Sequence, residues 1–229
     1  TQLDAACNRI GAEGGGELAS ALCDAAGMGL TTLNLHRNTL GDEGVNSVAS
    51  LVLRSKSLTE LDLSSNRVGD CGVNALCASL DDAQCACPLV RLELGDNKIQ
   101  AAGCKALSTL LAETNRLESL GLAGNKIGRC GCLHFSKALE ANTSLTALHL
   151  QRNGMNDASA LLFATATRRT VYSDELGAWC DDKGREVVGS RTAHLLHRAL
   201  GCPVEGQEQG EAMHDKMGRY ELIDGKQVN

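Results

Sequence analysis

An α/β solenoid, built from stacked strand–turn–helix units with parallel strands, is the fold predicted by this 229-residue sequence. Three observations predict it. The segment Leu33-Asn34-Leu35-His36-Arg37-Asn38-Thr39-Leu40-Gly41 returns at Leu61, Leu92, Leu120 and Leu148 in the form L-x-L-x-x-N, with a worn copy at Leu3. The asparagines that close the motif, Asn8, Asn38, Asn66, Asn97, Asn125 and Asn153, step by 30, 28, 31, 28 and 28 residues. A period in that range marks stacked repeats, none able to bury its apolar side alone. Apolar residues then follow each asparagine in one register: Val45, Val48, Val52; Val73, Leu76, Leu80; Cys104, Leu107, Leu111; Cys132, Phe135, Leu139. Spacings of three and four make a helix with one buried face.

Within each unit the leucines alternate with polar residues, which is the strand period. The asparagine is expected to turn inward and satisfy backbone groups that the bend leaves unpaired. Glycines recur three residues after it (Gly41, Gly69, Gly128) and six after it (Gly44, Gly72, Gly103, Gly131), where the backbone needs positive φ or close approach. The run from Gly11 to Gly16 falls in the same turn and is read as structural. Two connections are longer than the rest: Asp24–Gly29, and Asp81–Pro88, which is expected to be a surface loop on the rim. After Phe163 the pattern decays. There Arg191–Leu200 reads as a short helix ended by Gly201 and Pro203, between hairpin candidates at Trp179–Val188 and Tyr220–Val228. A terminal repeat needs cover. The expected organisation is a solenoid over residues 1–165, about six repeats with the first degenerate, and a C-terminal cap and extension over 166–229.

Composition narrows the function. A formal net charge of -6 argues against phosphate backbones and anionic membranes as main partners. The five aromatic residues, Phe135, Phe163, Tyr172, Trp179 and Tyr220, are too few for base-stacking platforms. No apolar run is long enough to span a bilayer. Eleven cysteines, an odd number mostly inside the repeats, point to a reducing compartment rather than a disulfide framework. Cys104 and Cys132 stand where sister repeats have Val45 and Val73, so they are read as small buried hydrophobes. No phosphate loop, dinucleotide fingerprint or nucleophile elbow is present, so no cofactor and no catalytic residue is expected. Cys85 with Cys87, and His194 with His197 and Cys202, fall short of a four-ligand metal set. Asn142-Thr143-Ser144 matches a glycosylation acceptor, a match without meaning in a reducing compartment.

The pattern N-x-[LIV]-G-x-x-G leading into a full helix resembles the ribonuclease-inhibitor-like subfamily of leucine-rich repeats. Gln100 replaces the first glycine of one copy, and the copy at Asn153 loses the glycines. The resemblance implies a horseshoe arc, with the parallel sheet on the concave face and helices on the convex face. It also implies non-catalytic protein binding: a scaffold or assembly subunit within a larger complex, cytoplasmic or tied to the cytoskeleton, cilium or axoneme. Two alternatives accompany it. One is a GTPase-activating protein of the Ran-regulator type, although no motif of that kind matches residue by residue. The other is a fragment of a larger repeat-containing sensor.

Framework positions recur in every copy, so recognition must lie in what varies. On the concave face the variable slots hold Asn34, Asp62, Glu93, Gly121 and His149; His36 and Ser64; and Arg37, Ser65, Asp96 and Arg152. An acidic centre of Asp62, Glu93 and Asp96, with Glu60 beside it, is expected between basic ends made by Arg37 with His36 and Arg152 with His149. Gly121, Ala123 and Gly124 are expected to leave a depression beside it. Such a face favours a protein partner with a basic segment; a polar face also serves simply to keep a sheet soluble.

Overall fold

A computed structural model of the chain describes residues 1–24, 29–155, 159, 171–173 and 178–180. The order of elements is β1 (Gln2–Asp4), α1 (Ala12–Asp24), β2 (Thr32–Asn34), α2 (Gly41–Arg54), β3 (Glu60–Asp62), α3 (Asp70–Asp81), β4 (Arg91–Glu93), α4 (Ala101–Glu113), β5 (Ser119–Gly121), α5 (Gly128–Ala141) and β6 (Ala147–His149). Strands β1 to β6 form one open parallel sheet in sequence order, so each helix is the crossover between neighbouring strands. This is the α/β solenoid arc that the repeat period predicts. A separate antiparallel pair joins β7 (Val171–Ser173) to β8 (Ala178–Cys180). Trp179 therefore pairs upstream with Tyr172, a hairpin the sequence did not suggest. The expected partner segment 181–188, the helix at Arg191–Leu200, the hairpin at Tyr220–Val228 and the pair His194/His197 lie outside the described residues.

The register is strict. Leu3, Leu33, Leu61, Leu92, Leu120 and Leu148 stand opposite one another across all six strands. Their side chains pack against the helical stripe, with Val45, Val73, Cys104 and Cys132 fully buried in the same layer. Burial pushes the Cys77, Cys87 and Cys104 thiols up to about 12, which keeps them neutral members of an apolar core.

The asparagines form a ladder that ties each repeat to the one before. Asn97 Nδ2 donates to the carbonyls of Leu63 and Leu94 at 3.0 Å each, and its Oδ1 accepts from the Asn66 and Val68 amides at 2.9 Å. Asn38, Asn66, Asn125 and Asn153 repeat the pattern with their own neighbours. Asn8, in the degenerate first copy, is exposed, and its Nδ2 donates to the Ala5 and Ala6 carbonyls of its own turn.

A second bracket was not visible in the sequence. Asp42 Oδ1 accepts from the Gly69 amide at 2.6 Å, and Asp70 Oδ1 from the Gln100 amide at 2.7 Å. The next repeats have Ala101 and Arg129 at that place, so the bracket stops there. The glycine six residues after the asparagine sits at a close approach, made in two repeats partly by this bracket. A Cβ on Gly103 would lie 2.7 Å from Asp70 Oδ1 and 2.9 Å from Ile99 Cγ2, so close approach forbids a side chain. Gly41 and Gly128 are the other case, with φ of 60° and 56°.

The loop Asp81–Pro88 departs from its expectation. Its backbone is at the surface, but Cys85 and Cys87 point inward and are buried. The Cys87 thiol faces the Leu58 carbonyl at 3.4 Å, and Arg116 Nη1 donates to the Cys85 carbonyl at 3.2 Å. The inserted residues thus fill the core beneath the longer connection. Asn142 is occupied in a turn: its Nδ2 donates to the Leu111 carbonyl at 2.7 Å and its Oδ1 accepts from the Leu145 amide at 2.8 Å.

Candidate protein-binding face

The strands expose two registers of side chains on the concave side. One runs Thr32, Glu60, Arg91, Ser119, Ala147, and the other Asn34, Asp62, Glu93, Gly121, His149. Asp62 and Glu93 therefore stand side by side on neighbouring strands, about 4.8 Å apart at the backbone. Like charges directly opposite one another repel.

The short side chains of this register bend back onto their own turns. Asn34 Oδ1 accepts from the His36 amide at 3.0 Å, and Asp62 Oδ1 from the Ser64 amide at 2.8 Å. The Ser64 hydroxyl also donates to Asp62 Oδ1 in a short contact. With its proton committed there, Ser64 Oγ accepts from His36 Nδ1 at 2.8 Å. An activated serine needs the imidazole between hydroxyl and carboxylate. Here the serine is in the middle, so the trio positions charge instead of preparing a nucleophile.

Glu93 has one more carbon and does something else. Its carboxylate lies over Gly121, where any Cβ would collide with it. The depression expected at Gly121 and Gly124 is therefore filled by the chain itself. Burial, and the Asp62 charge beside it, push the Glu93 carboxyl above its ordinary range, and Arg91 offsets part of this. Arg91, the one cation in these two registers, stands at the first strand position beside Glu60, where a polar residue of either sign fits the strand period.

Gly124 is covered in the same manner by Asp96. Asp96 in turn pairs with Arg152 at 3.0 Å, spanning the repeat between them. The pair is exposed, and such pairs contribute at most about 1 kcal/mol. This corrects the expected charge map: Asp96 leaves the acidic centre and Arg152 is no free basic end. What remains is Asp62 and Glu93, with Glu60 and Arg91 beside them. His36 and Arg37 stand on the β2 side, and His149 on the β6 side.

The slot before each asparagine has a further property that the sequence concealed. Cys7, Arg37, Ser65, Asp96, Gly124 and Arg152 all have φ between 52° and 71°. Only Gly124 takes this left-handed conformation without cost; the others lose on the order of 1 kcal/mol each. That backbone turns their side chains out past the strand ends, so Arg37, Ser65 and Arg152 frame the face at its edge. Among the described residues no group of three or more His, Cys, Asp or Glu side chains is placed to hold a metal ion, and no helix is long and apolar enough to cross a membrane.

The family model described as "Leucine Rich repeat" matches residues 30–49, 54–77, 86–108 and 141–164. No curated protein sequence matches the chain. Among solved structures the chain is similar to one titled "Leiomodin-1 Actin-Binding Site 2 (ABS2)", with 18% identity and a TM-score of 0.44, over 55% of this chain and 70% of that one.

Proposed function

We propose that this chain of leucine-rich repeats, of the ribonuclease-inhibitor-like kind, is a non-catalytic interaction scaffold whose concave face holds a basic segment of a protein partner. The observation that carries the reading is the Asp62–Glu93 pair. Two carboxylates in adjacent register, one half-buried over Gly121, are electrostatically strained in the free chain, and Arg91 offsets them only in part. A lysine or arginine brought between them would relieve that strain, so the free energy lost in the isolated protein returns on binding. The six-stranded parallel sheet holds the flanking residues on hydrogen-bonded backbone, so little ordering is needed when a partner docks. The neutral core thiols fit the reducing compartment expected from the cysteine pattern.

The test is affinity capture from a native extract with the immobilised chain, followed by mass spectrometry. A partner bound by the parent chain should be lost by the double variant Asp62→Arg with Glu93→Arg, while the melting midpoint stays close to the parent's. Unchanged recovery by that folded variant would remove the binding function from this face.

A further inference from the structure

On the opposite side of the sheet, α3 and α4 part to leave a groove of roughly 430 Å³. Its floor is apolar: Cys77 and Leu110 are buried, and Ala78, Ala102 and Ala106 form the walls. Two sequence features coincide with it. The connection after α3 carries the inserted loop, making this the longest step between asparagines at 31 residues. At the place in the repeat where α2 carries the half-buried Leu53, α3 has the exposed Asp81.

The groove lining carries three charged side chains: Lys105, two turns before the end of α4, and the two carboxylates at the helix ends, which it does not pair with. Asp81 and Glu113 close α3 and α4 on the same side of the groove. Both helices also present their C-terminal carbonyls there, a partial negative charge of its own. Helix α2 sets Arg54 in its last turn against that end, whereas α3 and α4 have no basic residue in theirs. Among the described residues neither Asp81 nor Glu113 forms an ion pair.

We propose that this convex groove docks a protein segment presenting an aliphatic side chain beside a lysine or arginine. The aliphatic group lies against Cys77, Ala106 and Leu110, and the cation reaches the carboxylates of Asp81 and Glu113. The thiol floor suits such a side chain because burial and Asp81 hold Cys77 neutral. The size fits an anchor in a pocket of the kind that dominates peptide recognition. This site is independent of the concave face and binds while that face is empty or occupied.

The probe is a short fluorescent peptide alternating leucine and arginine, titrated with the full chain and read by polarisation. The same peptide with glutamate in place of arginine is the control. Saturable binding of the arginine peptide is expected, with loss in Ala106→Trp, which fills the groove without changing charge. Asp81→Lys with Glu113→Lys should weaken binding about tenfold or more. Asp62→Arg with Glu93→Arg should bind as the parent does. Ala78→Trp, on the facing wall of α3, replaces Ala106→Trp if that variant does not fold. No binding, equal binding of the glutamate peptide, parental affinity in the filled-groove variant, or loss in the concave variant would each overturn the proposal.

Discussion

Replacing Asn97 by alanine is expected to lower the unfolding free energy by about 3 kcal/mol or more. The substitution strands the Asn66 and Val68 amides, which give their protons to Asn97 Oδ1, and leaves the Leu63 and Leu94 carbonyls without their shared donor. All lie inside the stack where water does not replace the lost partner. Asn97→Asp should be at least as damaging near neutrality, because it sets a second acceptor against the Leu63, Leu94 and Gly95 carbonyls. Unlike alanine, it should recover in acid as the new carboxyl takes a proton. Urea unfolding followed by circular dichroism measures both. A midpoint equal to the parent's in the alanine variant would show that the ladder does not hold the repeats together.

Phe135→Ala should cost about 3–5 kcal/mol, since it leaves a cavity beneath α5 at the largest fully buried side chain among the described residues. Phe135 occupies the repeat position that holds Val48, Leu76 and Leu107 elsewhere, all buried. Phe135→Leu restores the apolar residue two sister repeats use and should cost less than about 1.5 kcal/mol. Equal losses in the two variants would mean that the ring makes a contact specific to this repeat. Thermal melting in parallel separates the cases.

The framework was legible because its causes are local and periodic. Leucine alternation, the asparagine step and the helical stripe each follow from geometry that every copy must satisfy, so six copies report it together. The Asp42 and Asp70 brackets were not legible: they depend on which turn lies above, and two occurrences make no period. Cys85 and Cys87 read as surface residues because their loop interrupts the repeat, yet the longer connection needed apolar filling and took it from them. The left-handed slot was hidden by its residues. Arg37, Ser65, Asp96 and Arg152 do not announce positive φ, and Gly124 alone gave a hint.

The concave face divided in the same way. Register alone placed Asp62 beside Glu93, because the leucines fix the strands. Side-chain reach decided the rest. Glu93 extends across to Gly121 and Asp96 across to Gly124, so the glycines that looked like vacancies are sites their neighbours occupy. Arg152 spans two repeats to Asp96, a contact between residues 56 apart in sequence that no motif records.

Under the proposed binding role, Glu93 is kept at a cost to the free chain because binding uses its charge. Glu93→Gln tests this with melting midpoint against pH alongside partner capture. The folded carboxyl titrates above its ordinary value of 4.5. Well below that value both folded and unfolded chains hold the proton, and the variant should melt close to the parent. As pH rises from there through the raised value, only the folded parent must ionise against burial and Asp62, so its stability falls and then levels off. Near neutrality Glu93→Gln should therefore melt higher than the parent while capturing less partner. A variant that melts lower near neutrality, or one that melts higher yet captures its partner undiminished, would contradict the account.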